Sequence, residues 1–203
     1  MNTQMDPADR GLWLTEKRAE CLFSDNRISL IKTFYDPPDH IELDPYYSLK
    51  LGSYAVIVAI GEDGNLICVR QFRQGIRKIT TEFPAGGIKA RSDEETISID
   101  TALSSAKREL LEETGCVSDD WIHLITLASN PTLADNYAFV FLAKGCRKIS
   151  GQKLDMTEYL ESRNFAPNEL EAMIRNGGFQ HPIHILAWYL AKERLTETKE
   201  AKK

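Results

Sequence analysis

The densest chemistry in the chain lies in Arg108-Glu109-Leu110-Leu111-Glu112-Glu113-Thr114-Gly115. Ala102, Leu103, Ala106 and Leu110 recur along one side of a predicted helix. Asp100 suits its N-cap and Gly115 its C-terminal stop. On that helix Glu109, Glu112 and Glu113 stand at i, i+3 and i+4 and share a face. Like charges at this spacing repel. A hard divalent cation such as Mg²⁺, which takes oxygen ligands, would offset the repulsion. Arg108, four residues before Glu112, can hold its carboxylate in place. The alternative is a solvated acidic face. The carboxylates border the apolar stripe, whereas a purely solvated face would lie opposite the core.

Several elements must position this helix. Tyr54 to Ile60 is a continuous apolar, β-branched run and reads as a buried strand. Gly61-Glu62-Asp63-Gly64 turns it, and Leu66 to Val69 returns as a central hairpin. Arg70 and Arg73 follow at the strand end, able to grip phosphate or to serve as surface ion-pair partners. In Thr81-Glu82-Phe83-Pro84-Ala85-Gly86-Gly87, the proline and glycines demand a bend with close backbone approach. That bend is either a plain turn or a means of bringing a carbonyl, for instance that of Ala85, towards an ion. Lys89 to Glu95 reads as a polar loop.

Beyond the helix, 121–127 and 137–143 read as strands and Gly151 to Thr157 as a polar loop. Glu158 to Glu161 opens a further strand. A helix follows from Ala166-Pro167-Asn168-Glu169 to Gly177-Gly178. A last helix runs from about Pro182 to Arg194, with Ile183, Leu186, Ala187, Tyr189 and Leu190 facing inward, and Thr196 to Lys203 is a frayed tail. His181 and His184 read as structural, because no third metal ligand lies nearby in sequence.

At the other end, residues 1–10 read as loose. Cys21-Leu22-Phe23 and Ile28 to Ile31 flank the turn-forming cluster Ser24-Asp25-Asn26-Arg27, and Asp36-Pro37-Pro38-Asp39 ends the second strand. A hairpin this small is marginal alone and must pack on the rest of the chain or on a second copy. The boundaries are therefore a small β unit over 1–50 and a larger domain over 51–203.

Composition narrows the class. A 203-residue chain that is 42% hydrophobic can bury a core, and a net charge of -5 argues against a general nucleic-acid binder. Cys21, Cys68, Cys116 and Cys146 are scattered without a CxxC pair, which fits reduced, buried thiols in a cytoplasmic protein. Neither a signal peptide nor an apolar run of membrane-spanning length is evident.

The signature stretch resembles the helix of Nudix hydrolases, Gx5Ex7REUxEExGU with U an apolar residue. Arg108-Glu109-Leu110, Glu112-Glu113, Gly115 and Cys116 fill its second half. Val69 to Arg73, Glu82 to Gly87 and Pro131 resemble the corresponding positions of the ADP-ribose pyrophosphatase-like subgroup. Two departures stand out. The acid eight residues before Arg108 is Asp100 instead of Glu, and aligning Gly87 requires an insertion of about seven residues, roughly Ala90 to Thr96. The loop Asn130 to Asn136 also lacks the subgroup's usual Gly and Glu.

The resemblance implies an α+β fold: a Nudix-type α/β/α sandwich with a mixed central sheet, plus the small N-terminal β unit. It implies a pyrophosphohydrolase, a hydrolase acting on acid anhydrides in phosphorus-containing compounds. Mg²⁺, with Mn²⁺ as second choice, would be held by Glu109, Glu112, Glu113 and the carbonyl of Ala85. Glu112, Glu113 and Arg108 would serve catalysis, with Glu158 as general base and Asp155 as runner-up. Arg73 and Glu82, and less strongly Arg70, would contact the nucleoside diphosphate part of the substrate. That substrate would be ADP-ribose or another nucleotide sugar, cleaved to a nucleoside monophosphate and a sugar phosphate. The alternatives are a dinucleoside polyphosphate, a nucleotide cofactor such as FAD or NADH, or a binding module without turnover. The subgroup also implies a homodimer formed through the N-terminal β unit; by charge and hydropathy neither nucleic acid nor membrane is expected as a partner.

Overall fold

Along Tyr54–Gly61 (β4) alternate side chains leave the sheet on opposite faces, and both faces are buried. Ala55, Ile57 and Ala59 join one apolar cluster, and Val56 and Val58 join another. That is why the run is continuously apolar. The computed structural model describes residues 9–39, 41–89 and 97–200, the side chains of 198–200 excepted. The expected insertion at 90–96, most of the N-terminal segment and the last three residues lie outside the described residues.

The chain divides into two compact units, 1–52 with 128–137, and 53–127 with 138–203. In the first, Thr15–Ser24 (β1), Ile28–Asp36 (β2) and Tyr46–Leu51 (β3) form an antiparallel sheet in the order β1-β2-β3. The third strand was absent from the sequence reading. Residues 130–136 fold onto it: Leu49 N–H donates to the Leu133 carbonyl at 2.7 Å, and Leu51 N–H donates to the Asp135 carboxylate at 3.1 Å. Cys21 on β1 is exposed, contrary to the expected buried thiol, whereas Cys68, Cys116 and Cys146 are buried.

The second unit is an α/β/α sandwich. Its further strands are Leu66–Arg73 (β5), Lys78–Glu82 (β6), Ala85–Gly87 (β7), Cys116–Val117 (β8), Asp120–Ala128 (β9), Tyr137–Lys148 (β10) and Leu160–Phe165 (β11). The sheet runs β11-β5-β4-β10-β8, with β6 on β5, β7 on β4 and β9 on β10. β10 pairs parallel to β4 while β5 and β7 pair antiparallel to it, so the sheet is mixed. The helix Ile99–Thr114 (α1) packs Ala102, Ala106 and Leu110 on one face. The helices Pro167–Asn176 (α2) and Pro182–Glu200 (α3) cover the other with Leu170, Ile183, Ala187, Trp188 and Ala191. Among the described residues no helix is long and apolar enough to cross a membrane.

Three local expectations are corrected. α1 is capped by Ser98, whose hydroxyl accepts from Thr101 N–H at 3.1 Å, and Asp100 lies exposed in the first turn. α3 continues through the expected frayed tail to Glu200. Its inward face carries His184, Trp188 and Ala191, whereas Leu186 and Tyr189 are exposed.

Candidate active site

Pairing of β7 with β4 fixes the loop before the signature helix: Val56 faces Ala85, Ala55 faces Gly86 and Tyr54 faces Gly87. The backbone at Gly86 then lies hard against α1. A Cβ on Gly86 would sit 2.0 Å from the Glu109 carboxyl carbon, so only glycine admits that carboxylate here. One residue earlier, Ala85 N–H donates to Glu113 Oε2 at 3.1 Å. The loop thus registers two of the three signature carboxylates through its own backbone.

Arg108 organises the third. Its guanidinium donates to Glu112 Oε2 and to Glu109 Oε1, each at 2.6 Å, and to the Gly87 carbonyl at 3.3 Å. These contacts use one oxygen of Glu109 and one of Glu112. Glu109 and Glu113 are buried, and burial pushes both acids up, Glu113 to about 8. The charge of Glu112 adds to the rise at Glu109, that of Glu109 adds to it at Glu113 and that of Glu158 at both, while Arg108 opposes it at Glu109 and the Ala85 N–H opposes it at Glu113. Carboxylate oxygens without sulfur or imidazole among them are the donor type that a hard divalent cation takes, but among the described residues the three-ligand cluster within 4.8 Å is Glu82, His181 and His184, while Arg108 bridges Glu109 and Glu112.

Glu158 lies in a turn before β11, where its carboxylate accepts from Asp155 N–H at 3.1 Å. That turn is tied to α1 through the preceding loop. Lys153 N–H donates to the Glu112 carbonyl at 2.8 Å and Gln152 Nε2 to the Glu113 carbonyl at 2.6 Å. Ile149 and Ser150 N–H groups both reach the Gly115 carbonyl. Carbonyls left over at the helix C-terminus are satisfied in this way.

Glu82 is 1% exposed and enclosed by donors. Arg73 approaches it with Nε at 2.9 Å and Nη2 at 2.5 Å, and the Thr80 hydroxyl donates at 2.6 Å. Burial alone would raise this acid, but the Arg73 hydrogen bonds, with His184 and Thr80, hold it down at about 2. Arg73, more than a third exposed, keeps an open side and lowers the Glu113 carboxyl by its charge. Glu82 therefore acts on Arg73, not on solvent. Arg70 lies apart: it pairs with Glu161 across the β5–β11 ladder at 2.7 Å.

Two residues that the sequence reading set aside sit behind this network. His184 Nδ1 accepts from Phe83 N–H at 3.0 Å, and the His181 ring lies 4.2 Å from the His184 ring, centroid to centroid. Burial pushes His184 down to about 3. One ligand atom from each of Glu82, His181 and His184 lies within 4.8 Å of the others. The third partner that sequence proximity could not supply comes from about a hundred residues away. A cleft of about 560 Å³, lined by residues including Asp63, Thr114, Cys116, Cys146 and Arg147, contains none of the signature carboxylates.

No family model matches the chain. It is 35% identical over 113 residues to a methanol dehydrogenase activator of Bacillus methanolicus, covering 54% of this chain and 55% of that protein. An ADP-ribose pyrophosphatase of Bacillus subtilis (strain 168) is 32% identical over 111 residues with the same coverage. Another from Mycobacterium tuberculosis is 31% identical over 93 residues, 46% of this chain and 42% of that one. The match thus spans about half the length of these curated relatives. The crystal structure of an ADP compounds hydrolase superposes with a TM-score of 0.75 at 18% identity, covering 91% of this chain and 95% of that one. The chain is thus similar to ADP-ribose pyrophosphatases over about half their length, and it has the fold of an ADP compounds hydrolase.

Proposed function

We propose that the chain hydrolyses the diphosphate linkage of a nucleoside diphosphate-linked compound, ADP-ribose or another nucleotide sugar, with Mg²⁺ as cofactor and Mn²⁺ as substitute. The supporting observation is the buried carboxylate face of α1, held against Gly86 and Ala85. Two of the relatives are named ADP-ribose pyrophosphatase, which supports the substrate class. A cationic partner would supply neutralisation of phosphate charge and acidification of the attacking water. Glu109, Glu112, Glu113 and the Ala85 carbonyl would hold it. Arg108 keeps Glu109 and Glu112 in rotamer, and Arg73, aimed by Glu82, binds a phosphate oxygen of the substrate. Glu158 takes the proton of the attacking water. Its charge reaches Glu109 and Glu113, which favours it over Asp155.

A second reading, a regulatory module of the same fold, is favoured by the relative named as an enzyme activator and by Asp100 standing in the family's glutamate position. One screen separates the two. Nucleoside diphosphate compounds, dinucleoside polyphosphates, FAD and NADH are incubated with Mg²⁺ or Mn²⁺, and monophosphate release is measured. Turnover strongest on a nucleotide sugar supports the proposal; turnover only on another class reassigns the substrate; none on any compound favours the module. Glu112→Gln should lower Mg²⁺-dependent turnover at least about a hundredfold. Near-intact turnover in that variant would overturn the cation assignment.

A further inference from the structure

The segment Glu82 to Ala85 is held from three sides. Phe83 N–H goes to His184 on α3, the Pro84 carbonyl accepts from Ile57 N–H on β4 at 2.9 Å, and Ala85 N–H goes to Glu113 on α1. Pro84 has no N–H, so Phe83 offers the last backbone donor before Ala85. At the head of the segment stands Glu82, the carboxylate that aims Arg73, and His184 Nε2 lies 4.0 Å from its Oε2. The His184 ring also lies parallel to the Phe83 ring, 6.3 Å between centroids and 8° between planes. One side chain of α3 therefore meets both the backbone that registers the signature carboxylates and the acid that aims the phosphate-binding arginine.

The same cluster could be read as a metal centre, but its hydrogen bonds oppose that. Because Phe83 N–H donates to Nδ1, that nitrogen carries the lone pair and Nε2 carries the proton in the neutral ring. A protonated nitrogen cannot ligate. Both oxygens of Glu82 accept from the Arg73 guanidinium, so a cation there would sit against a fixed positive charge.

We propose that His184 is a positioning residue: a neutral prop whose Nδ1 fixes the Glu82–Ala85 backbone and so sets both the Glu113 carboxylate and Arg73. This rests on the reading of the α1 face as a cation and diphosphate site. Asn places an amide oxygen near the position of Nδ1, whereas Leu fills similar space and offers no acceptor. Mn²⁺ affinity, titrated directly without substrate, should fall about tenfold in His184→Leu, the size of one lost buried hydrogen bond, and stay within about threefold of wild type in His184→Asn. Should His184→Leu fail to fold, the wild-type protein carries the test. ¹⁵N spectra should show Nδ1 of His184 without a proton and the Phe83 amide protected from exchange. Equal Mn²⁺ affinities in the two variants, or a protonated Nδ1, would overturn the role of His184 alone. Wild-type protein that binds no Mn²⁺ would overturn the functional reading and this role with it. Tight Zn²⁺ binding lost in both His181→Ala and His184→Asn would replace the prop by a metal centre.

Discussion

Gly86 is the residue on which the site closes. In Gly86→Ala the new methyl would meet the far end of the Glu109 side chain, at 2.0 Å from its carboxyl carbon. A side-chain end can swing away, so the fold should survive with a loss of about 1 kcal/mol. The carboxylate would not keep its place, and Mn²⁺ affinity should fall about tenfold or more by direct titration. Glu113 makes a separate prediction in pH. Its folded value, pushed up by burial to about 8, means that a proton competes with any cation throughout the neutral range. Mn²⁺ affinity should therefore rise about tenfold per pH unit towards about 8 and level off above it. The sign for the cation-free fold is the reverse. A raised acid contributes stability that is lost as pH climbs from the ordinary carboxylate range through about 8.

At the scale of the element, α1 was the most legible part of the chain. Three glutamates at i, i+3 and i+4, an apolar stripe beside them and Gly115 after them fix face and end together. Its start was misread because Ser98 and Asp100 are both good caps, and only geometry tells which one turns its side chain to the free amides. Gly115 has φ 72°, and a Cβ there would sit 2.1 Å from the Ser150 carbonyl oxygen. Gly115→Ala should cost about 2 kcal/mol or more, read as a lower denaturant midpoint. Apolar periodicity alone turns Leu186 and Tyr189 of α3 inward, yet both are exposed. His184 occupies a core position that its hydrogen bond to Phe83 makes tolerable. Strand β3 was missed because Tyr46-Tyr47-Ser48-Leu49-Lys50-Leu51 alternates weakly and is exposed at both ends.

For the whole molecule, the unit 1–52 with 128–137 could not be delimited from sequence. Its second segment joins through contacts such as Leu51 with Asp135, 84 positions apart, and no local pattern announces such a pairing. Among the described residues, this unit contributes no side chain to the buried apolar core, and Leu22, Phe23, Tyr46 and Tyr47 are exposed. A three-stranded sheet that leaves these side chains exposed is marginal, so we predict that a second copy covers them. Light scattering at micromolar concentration should give twice the chain mass, and Phe23→Asp should shift it towards the single chain. In the larger unit, the loop at 149–153 is stitched to the tail of the helix that bears the acidic face. That stitching ties the turn that carries Glu158 to the end of the helix. Under the proposed function, a tilt of the helix on heating or ligand docking would carry Glu158 with it and preserve its distance from the α1 carboxylates. Loosening those threads, as in Gln152→Ala, should then lower the proposed turnover without removing one acid.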